Sequence, residues 1–291
     1  MSRHRAALGV LLAAAALAAC GEGSSPQVPA SVTPAPVDAS ADNGVMTVAL
    51  NHMPHGVATV TSVPGRGLLS VNLHLYGLVP GSSHPTGVGA GTCYHQGATV
   101  HELAPMVADG HGVADATTTI PGPGGIPDAV WYLEVHNGPG TWSPDEALPL
   151  VCGDVVNSGG AASVSVPLTA GPPPPSLPGS PAQAASGHVL LQVVRGALQL
   201  TVDVTDLTPG SAHAVSVNLG SCDSPGALVH PLNLLTADAN GHASSVTPLA
   251  GITSIPTRTW YIVVRRTAGP ATTQTDLDPI LCGDVGGQTG L

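Results

Sequence analysis

Residues 213–222 read HAVSVNLGSC and residues 84–93 read HPTGVGAGTC. Both begin with His, end with Gly, a small hydroxyl residue and Cys, and lie 129 positions apart. In the later copy Val215, Val217 and Leu219 alternate with Ser216 and Asn218, the pattern of a half-buried strand. The flanking sequence repeats at the same offset. Leu78-x-Pro80-Gly81-Ser82-x-His84 returns as Leu207-x-Pro209-Gly210-Ser211-x-His213. Gly97, Val100, His101 and Leu103 return as Gly226, Val229, His230 and Leu232, and Ala108-Asp109 as Ala237-Asp238. Ile126-Pro127 and Trp131-Tyr132 return as Ile255-Pro256 and Trp260-Tyr261, and CGDV closes both copies at 152–155 and, with one residue inserted, 282–285. A shared offset over this many positions marks a tandem duplication.

The repeat divides the chain. A signal peptide is expected over 1–19, a Pro/Ser/Ala tether over 20–43, a first repeat over 44–158 and a Pro-rich linker over 159–185. A second repeat covers 186–286 and a short tail 287–291. The segment GPPPPSLPGSP reads as a stiff, extended spacer. Ala162–Val166 alternates like a strand and is compatible with either repeat. LQLTVDVTDL (198–207) alternates as well, TWYIVV is a β-branched apolar run, and no stretch carries a helical period. Composition agrees: there are 37 glycines, 29 prolines and no Phe, so a core must come from Val, Leu, Ile and Ala on short strands. The expected fold class is all-β, an antiparallel sandwich or barrel in each repeat.

The N-terminus reads MSRHR, then an apolar run of about a dozen residues too short to span a bilayer. Leu17-Ala18-Ala19-Cys20 resembles the lipobox of bacterial lipoproteins, which implies lipidation of Cys20 and a mature protein anchored to the membrane rather than crossing it. Removing 1–19 leaves five arginines against 18 acidic residues, a net charge of −13 with histidines neutral. There is no Lys, so nucleic acid is excluded as a partner by charge.

Cys93, Cys152, Cys222 and Cys282 allow three pairings. The duplication selects Cys93–Cys152 and Cys222–Cys282, because each copy holds one Cys after the strand unit and one in CGDV. Export favours their oxidation. No CxxC spacing suggests zinc or a redox thiol.

These landmarks together resemble Cu,Zn superoxide dismutases. The family has an HGFHVH-like strand, a Gly-x-Cys soon after it, an Ala-Asp-x-x-Gly-x-Ala turn, a VVH strand and a terminal CG. Here they are matched by His213–Cys222, Ala237–Ala243, Trp260–Val264 and Cys282-Gly283, and in the first copy by His84–Cys93, Ala108–Ala114, Trp131–His136 and Cys152-Gly153. Chordin-type (CHRD) repeats are similar too. The resemblance covers most of each repeat and implies two tandem Greek-key sandwiches. It also implies the same intradomain disulfides.

It does not carry the chemistry over. An H-x-H pair aims two imidazoles at one metal because alternate strand residues share a face. Those positions are Ser216 and Asn218 in the second repeat, and Gly87 and Gly89 in the first. The later copper position keeps His136 but becomes Arg265, and the zinc carboxylate is matched by Glu102 but becomes Pro231. The family's substrate-guiding Arg falls at Pro149 and Pro279. With a net charge opposing an anionic substrate, dismutase turnover is not expected.

The histidines shared by both repeats, His84/His213 and His101/His230, read as structural groups bonding backbone carbonyls. His52-Met53-Pro54-His55 has the thioether and imidazole types that suit copper. Together with His101, Glu102 and His136 it forms the candidate metal set, against the plainer reading of a solvated His-rich surface that also includes His74, His95 and His111. Trp131-Tyr132 and Trp260-Tyr261 read as core anchors. No nucleophile elbow, phosphate loop or dinucleotide fingerprint is present.

The expectation is a non-catalytic, extracytoplasmic lipoprotein, held on the cell membrane by its lipid and presenting loops to a protein or cell-wall partner. The alternative is a copper- or zinc-binding protein, or a weak dismutase, using histidines of the first repeat.

Overall fold

A computed structural model describes residues 44–170, 185–256, 258–269 and 273–286. Cys20, the tether, most of the 159–185 linker and the tail lie outside the described residues, and the described part belongs to one compact unit. The described residues are all-β apart from one turn of helix.

In chain order the strands are β1 (Val45–His52), β2 (His55–Val63), β3 (Leu68–Tyr76), β4 (Ser83–His84), β5 (Thr86–Thr92), β6 (His95–Glu102) and β7 (Met106–Val107). There follow β8 (Ala114–Pro121), β9 (Trp131–His136), β10 (Pro149–Asp154) and β11 (Ser163–Leu168). The second repeat supplies β12 (Ser186–Val194), β13 (Ala197–Thr205), β14 (Ala212–His213), β15 (Val215–Ser221), β16 (Ser224–Pro231) and β17 (Leu235–Thr236). It ends with β18 (Ala243–Leu249), β19 (Trp260–Arg265), α1 (Gln274–Leu277) and β20 (Pro279–Asp284).

The first half has two four-stranded sheets, ordered β11-β2-β3-β8 and β10-β9-β5-β6. Alternate residues of both sheets meet in one core, including Val60, Leu73, Val88, Leu133 and Leu150. The arrangement is sandwich-like. The second half repeats it, with Val189, Leu200, Val217, Ile262 and Leu281 in the matching core. There the two sheets run together as one eight-stranded ladder, β16-β15-β19-β20-β1-β12-β13-β18.

The joining strand is β1, and it comes from the wrong side of the first repeat. Its residues Val45–Leu50 pair antiparallel with β12, and Asn51 and His52 pair with β20. In the first half this place is taken by β11, which pairs with β2 while Thr169 bridges to Cys152. Strand pairing therefore departs from the sequence boundaries at two places. β1 opens the 44–158 stretch yet closes the second half, and β11 lies in the 159–185 stretch yet closes the first. The open question over Ala162–Val166 is answered by the ladder with β2.

The two closing strands are equivalent in detail. Thr47-Val48-Ala49-Leu50 matches Ser165-Val166-Pro167-Leu168, with the Val and Leu of each buried. Burying each such side chain is worth about 1.5–3 kcal/mol. Each strand runs over the glycine of the final Cys-Gly. A Cβ on Gly283 would lie 2.4 Å from the Ala49 oxygen and 2.6 Å from Val48 Cγ1. A Cβ on Gly153 would lie 2.3 Å from the Pro167 oxygen and 2.7 Å from Val166 Cγ1.

Both disulfides form as the duplication requires. Cys93–Cys152 and Cys222–Cys282 have Cα separations of 5.9 and 5.8 Å. Closing loops of 59 and 60 residues is worth on the order of 4 kcal/mol each in the chain-entropy model.

The closeness of Gly283 to β1 gives a direct test. Gly283→Val is expected to cost about 3 kcal/mol or more, by overpacking and loss of β1 seating, in a urea titration. Gly159→Val, at a position with nothing within 4 Å, is expected to change little. Equal effects at the two positions would contradict the seating of β1 on Gly283.

Candidate functional site

The repeated ten-residue unit works as a joint. His84 is fully buried, with Nε2 2.7 Å from Ser82 Oγ and Nδ1 2.9 Å from the His136 carbonyl. His213 repeats this with Ser211 Oγ at 2.7 Å and the Arg265 carbonyl at 3.0 Å. A carbonyl can only accept, so each Nδ1 donates. With a neutral ring His84 Nε2 then accepts from the Ser82 hydroxyl, while the Ser211 hydroxyl also faces the Thr208 carbonyl, to which it donates at 2.7 Å. Burial depresses both pKa values, that of His84 to about 4. Two neutral rings thus pin the entry of β5 and β15 to the end of β9 and β19.

The other end of the unit is equally occupied. Gly91 and Gly220 have φ of 104° and 103°, where a side chain is strained. A Cβ there would stand 2.3 and 2.4 Å from the oxygens of His95 and Ser224. The next residue caps the hairpin: the His95 amide donates to Thr92 Oγ1 and the Ser224 amide to Ser221 Oγ, both at 3.1 Å. The Cys93 amide donates to Asp154 Oδ1 at 2.6 Å and the Cys222 amide to Asp284 Oδ1 at 2.8 Å. The Asp of each CGDV thus fixes the partner of the Cys two residues before it. The turn aspartates act locally as well, Asp109 accepting from the His111 and Val113 amides and Asp238 from those of Asn240 and His242.

The positions that the resemblance assigns to the H-x-H pair are filled by packing. Gly89 makes room for Tyr132, whose ring carbon would lie 2.1 Å from a Cβ. Tyr132 donates to the Gly97 carbonyl at 3.3 Å, and burial followed by Glu134 pushes its pKa up to about 12. In the second half, buried Ser216 donates to Asn218 Oδ1 at 2.8 Å, and Asn218 Nδ2 donates to Tyr261 Oη at 3.1 Å. These residues do not fit a dismutase copper centre. Two imidazoles are replaced by a tyrosine slot in one copy and an amide–hydroxyl network in the other.

The five weaker metal candidates are placed as follows. His101 stands edge-on to Trp131 with ring centroids 5.4 Å apart, as His230 does to Trp260. Glu102 is exposed on the edge strand β6, opposite Gly87. His136 donates from Nδ1 to the Ala147 carbonyl at 2.9 Å, with Nε2 3.6 Å from Glu134 Oε1. Burial opposes its charge, but Glu134 outweighs that and the pKa is raised. His55 Nδ1 lies 3.2 Å from Met53 Sδ, and its Nε2 lies 3.6 Å from Asp223. His52 is held near pKa 4 chiefly by burial, and its Nδ1 makes no hydrogen bond. Within the His52–His55 segment the imidazole of His55 contacts the Met53 thioether. Among the described residues no group of three or more His, Cys, Asp or Glu side chains is gathered in a metal-binding arrangement.

The halves meet at a polar junction that the repeat pattern does not signal. Gln274 of α1 reaches from the second half to the first. Its Oε1 accepts from the Ser83 amide at 3.0 Å, and its Nε2 donates to the Ser83 and Asn137 carbonyls at 3.0 and 3.1 Å. Arg266 reaches Asn137 Oδ1 at 3.5 Å. Asp278 beside it is 1% exposed, and both its carboxylate oxygens lack a hydrogen bond. Burial raises its pKa to about 7 against the pull of Arg266 and Arg265. The same burial lowers the pKa of Arg266. Recurrence identified Ser82, Ser211 and the CGDV aspartates as repeated, but Asp278 stands where the first half has Leu148 and Gln274 has no glutamine opposite it, so neither left a trace.

Next to this junction lies a cleft of about 120 Å³ lined by Met53, Leu78, Pro80, Tyr261, Arg265 and the Cys222–Cys282 disulfide. Ligand pockets are typically ~300–1,000 Å³, so it has room for a few waters or a small group rather than an organic substrate. No helix among the described residues is long and apolar enough to cross a membrane. No protein-family model matches the chain, and no curated protein does.

The buried titratable groups set a pH dependence with two opposed arms. His52 and His84 have folded pKa values of about 4 against 6.5, so their stabilisation is complete above pH 6.5 and falls away toward pH 4. For Asp278, raised from 3.8 to about 7, the loss runs the other way, as pH rises through 7. Asp278→Asn is expected to stabilise the fold at pH 8 by on the order of 2 kcal/mol and to have no benefit at pH 3.5. Urea titrations at the two pH values check this; a benefit that is independent of pH would contradict the assignment.

Proposed function

We propose that the chain is a non-catalytic, extracytoplasmic lipoprotein. In this reading it is anchored through Cys20 to the bacterial cell membrane and carries two degenerate superoxide dismutase-like or CHRD-like Greek-key sandwiches. One observation carries the reading. The polar residues kept by both copies are engaged in holding hairpins, turns and disulfides together, as Ser82–His84, Asp154–Cys93 and their counterparts show. The positions that would carry the chemistry have been turned over to Tyr132 and to the Ser216–Asn218–Tyr261 network. A duplicated scaffold kept with its staples, and without convergent reactive groups, supports a binding or structural role at the cell envelope. Its acidic, lysine-free surface favours a protein or cell-wall partner over nucleic acid.

A second reading is favoured by the 3.2 Å approach of His55 Nδ1 to Met53 Sδ. A thioether and an imidazole held this close are two ligands of the type that soft copper prefers. In that reading the first repeat handles copper or zinc.

Metal content separates the two. The mature protein, exposed to excess copper or zinc and then desalted, is expected to hold less than stoichiometric metal and to show no thermal shift with either ion. Stoichiometric metal that is lost in His55→Ala and Met53→Leu would overturn the non-metal reading in favour of the second.

A further inference from the structure

The seat of β1 is the most consequential feature of this chain. Every ladder partner of β1 belongs to the second half, six residues on β12 and two on β20. Its buried side chains Val48 and Leu50 lie in the second core. The matching place in the first half, beside β2 and over Gly153, is filled by β11. The strand thus has no seat in the half to which its sequence is joined. It is received by a groove between β12 and β20, and β1 is linked to β2 of the first half by the two-residue crossover Met53-Pro54.

We propose that this groove is a strand-acceptor site for Val45–His52 of a second copy of the chain, so that two copies close each other's second halves. The occupant is fixed by chemistry already on the page. The groove takes an antiparallel strand with Val and Leu at alternate inward positions, and its floor at Gly283 admits only a backbone running as Ala49 does. Exchange keeps all eight ladder pairs and both buried side chains. Met53, whose amide donates to the Ile280 carbonyl at 3.2 Å and which packs on Tyr261, Val263 and Cys282, travels with the strand, so the change of backbone path falls at Pro54–His55. Swapping of an identical element is a low-cost route to a dimer for that reason. Edge-strand receptors of this kind draw affinity from main-chain hydrogen bonds and selectivity from alternate side-chain pockets. Both terms are the same whether the strand arrives from its own chain or from another.

The test uses the full chain carrying Cys20→Ser. Ala49 and His188 face each other across the β1–β12 ladder and both are exposed. One form carries Ala49→Cys, and a second form of different mass carries His188→Cys. The two are unfolded in urea with native disulfides intact, refolded together over a range of concentrations and oxidised. A heterodimer bridged between the two forms, rising with concentration, is the expected product. A partner carrying Arg66→Cys, on the exposed turn between β2 and β3, is expected to give several-fold less. Both substitutions in one chain, refolded dilute, should bridge internally. Heterodimer no more abundant than with Arg66→Cys at any concentration would overturn the proposal. Failure of the double variant to bridge would also overturn it, since β1 would then not be seated on β12.

Discussion

The structure depends on one close contact: a strand backbone laid across the glycine that follows the last cysteine of each half. At Gly283 the carbonyl of Ala49 stands where any side chain would be, and at Gly153 the carbonyl of Pro167 does the same. This contact completes each core, because the strand that makes it also inserts a Val and a Leu between the two sheets. It also protects the disulfide, whose second cysteine precedes that glycine. A half without its closing strand would expose apolar surface and two open sheet edges. In the first half the strand is supplied locally, by β11 just after β10. In the second it is supplied by β1, from the far side of the first repeat, so the second half cannot be completed until the N-terminal strand has crossed over.

The crossing makes the polar junction intelligible. Two halves stitched by a strand must hold a fixed distance, and Gln274 sets it with three hydrogen bonds to backbone groups of the first half. Asp278 and Arg266 sit behind it with unmet polar atoms and opposed pKa shifts. Buried charge of this kind is a poor source of stability. What remains is positional: Arg266 reaches across to Asn137.

The sequence made the halves legible because duplication writes every structural residue twice. The 129-residue offset picked out His84 and His213, the turn aspartates and Cys93 with Cys222. The CGDV motif one residue beyond it picked out Cys152 with Cys282, and alternation identified the strands. Side chains answering to local geometry recur, so the all-β class and the disulfides followed from the pattern. The crossing of β1 was not legible, because an internal repeat reports what a strand is like and not which copy it will close. The likeness of Thr47-Val48-Ala49-Leu50 to Ser165-Val166-Pro167-Leu168 was the available signal, and it sits outside the common offset. Gln274 and Asp278 were invisible for a related reason: they serve the contact between copies, where the two halves must differ.

Hydrogen exchange in a Leu50→Ala variant tests this arrangement most directly. Leu50 is buried in the second core, although it lies at the start of the first repeat in sequence. Local opening is read amide by amide, so the two halves report separately. The expected result is loss of protection at Val189, Leu191 and Leu281, with Val60, Leu73 and Val166 unchanged. Loss confined to Val60, Leu73 and Val166 would place β1 in the first half and contradict the crossed closure.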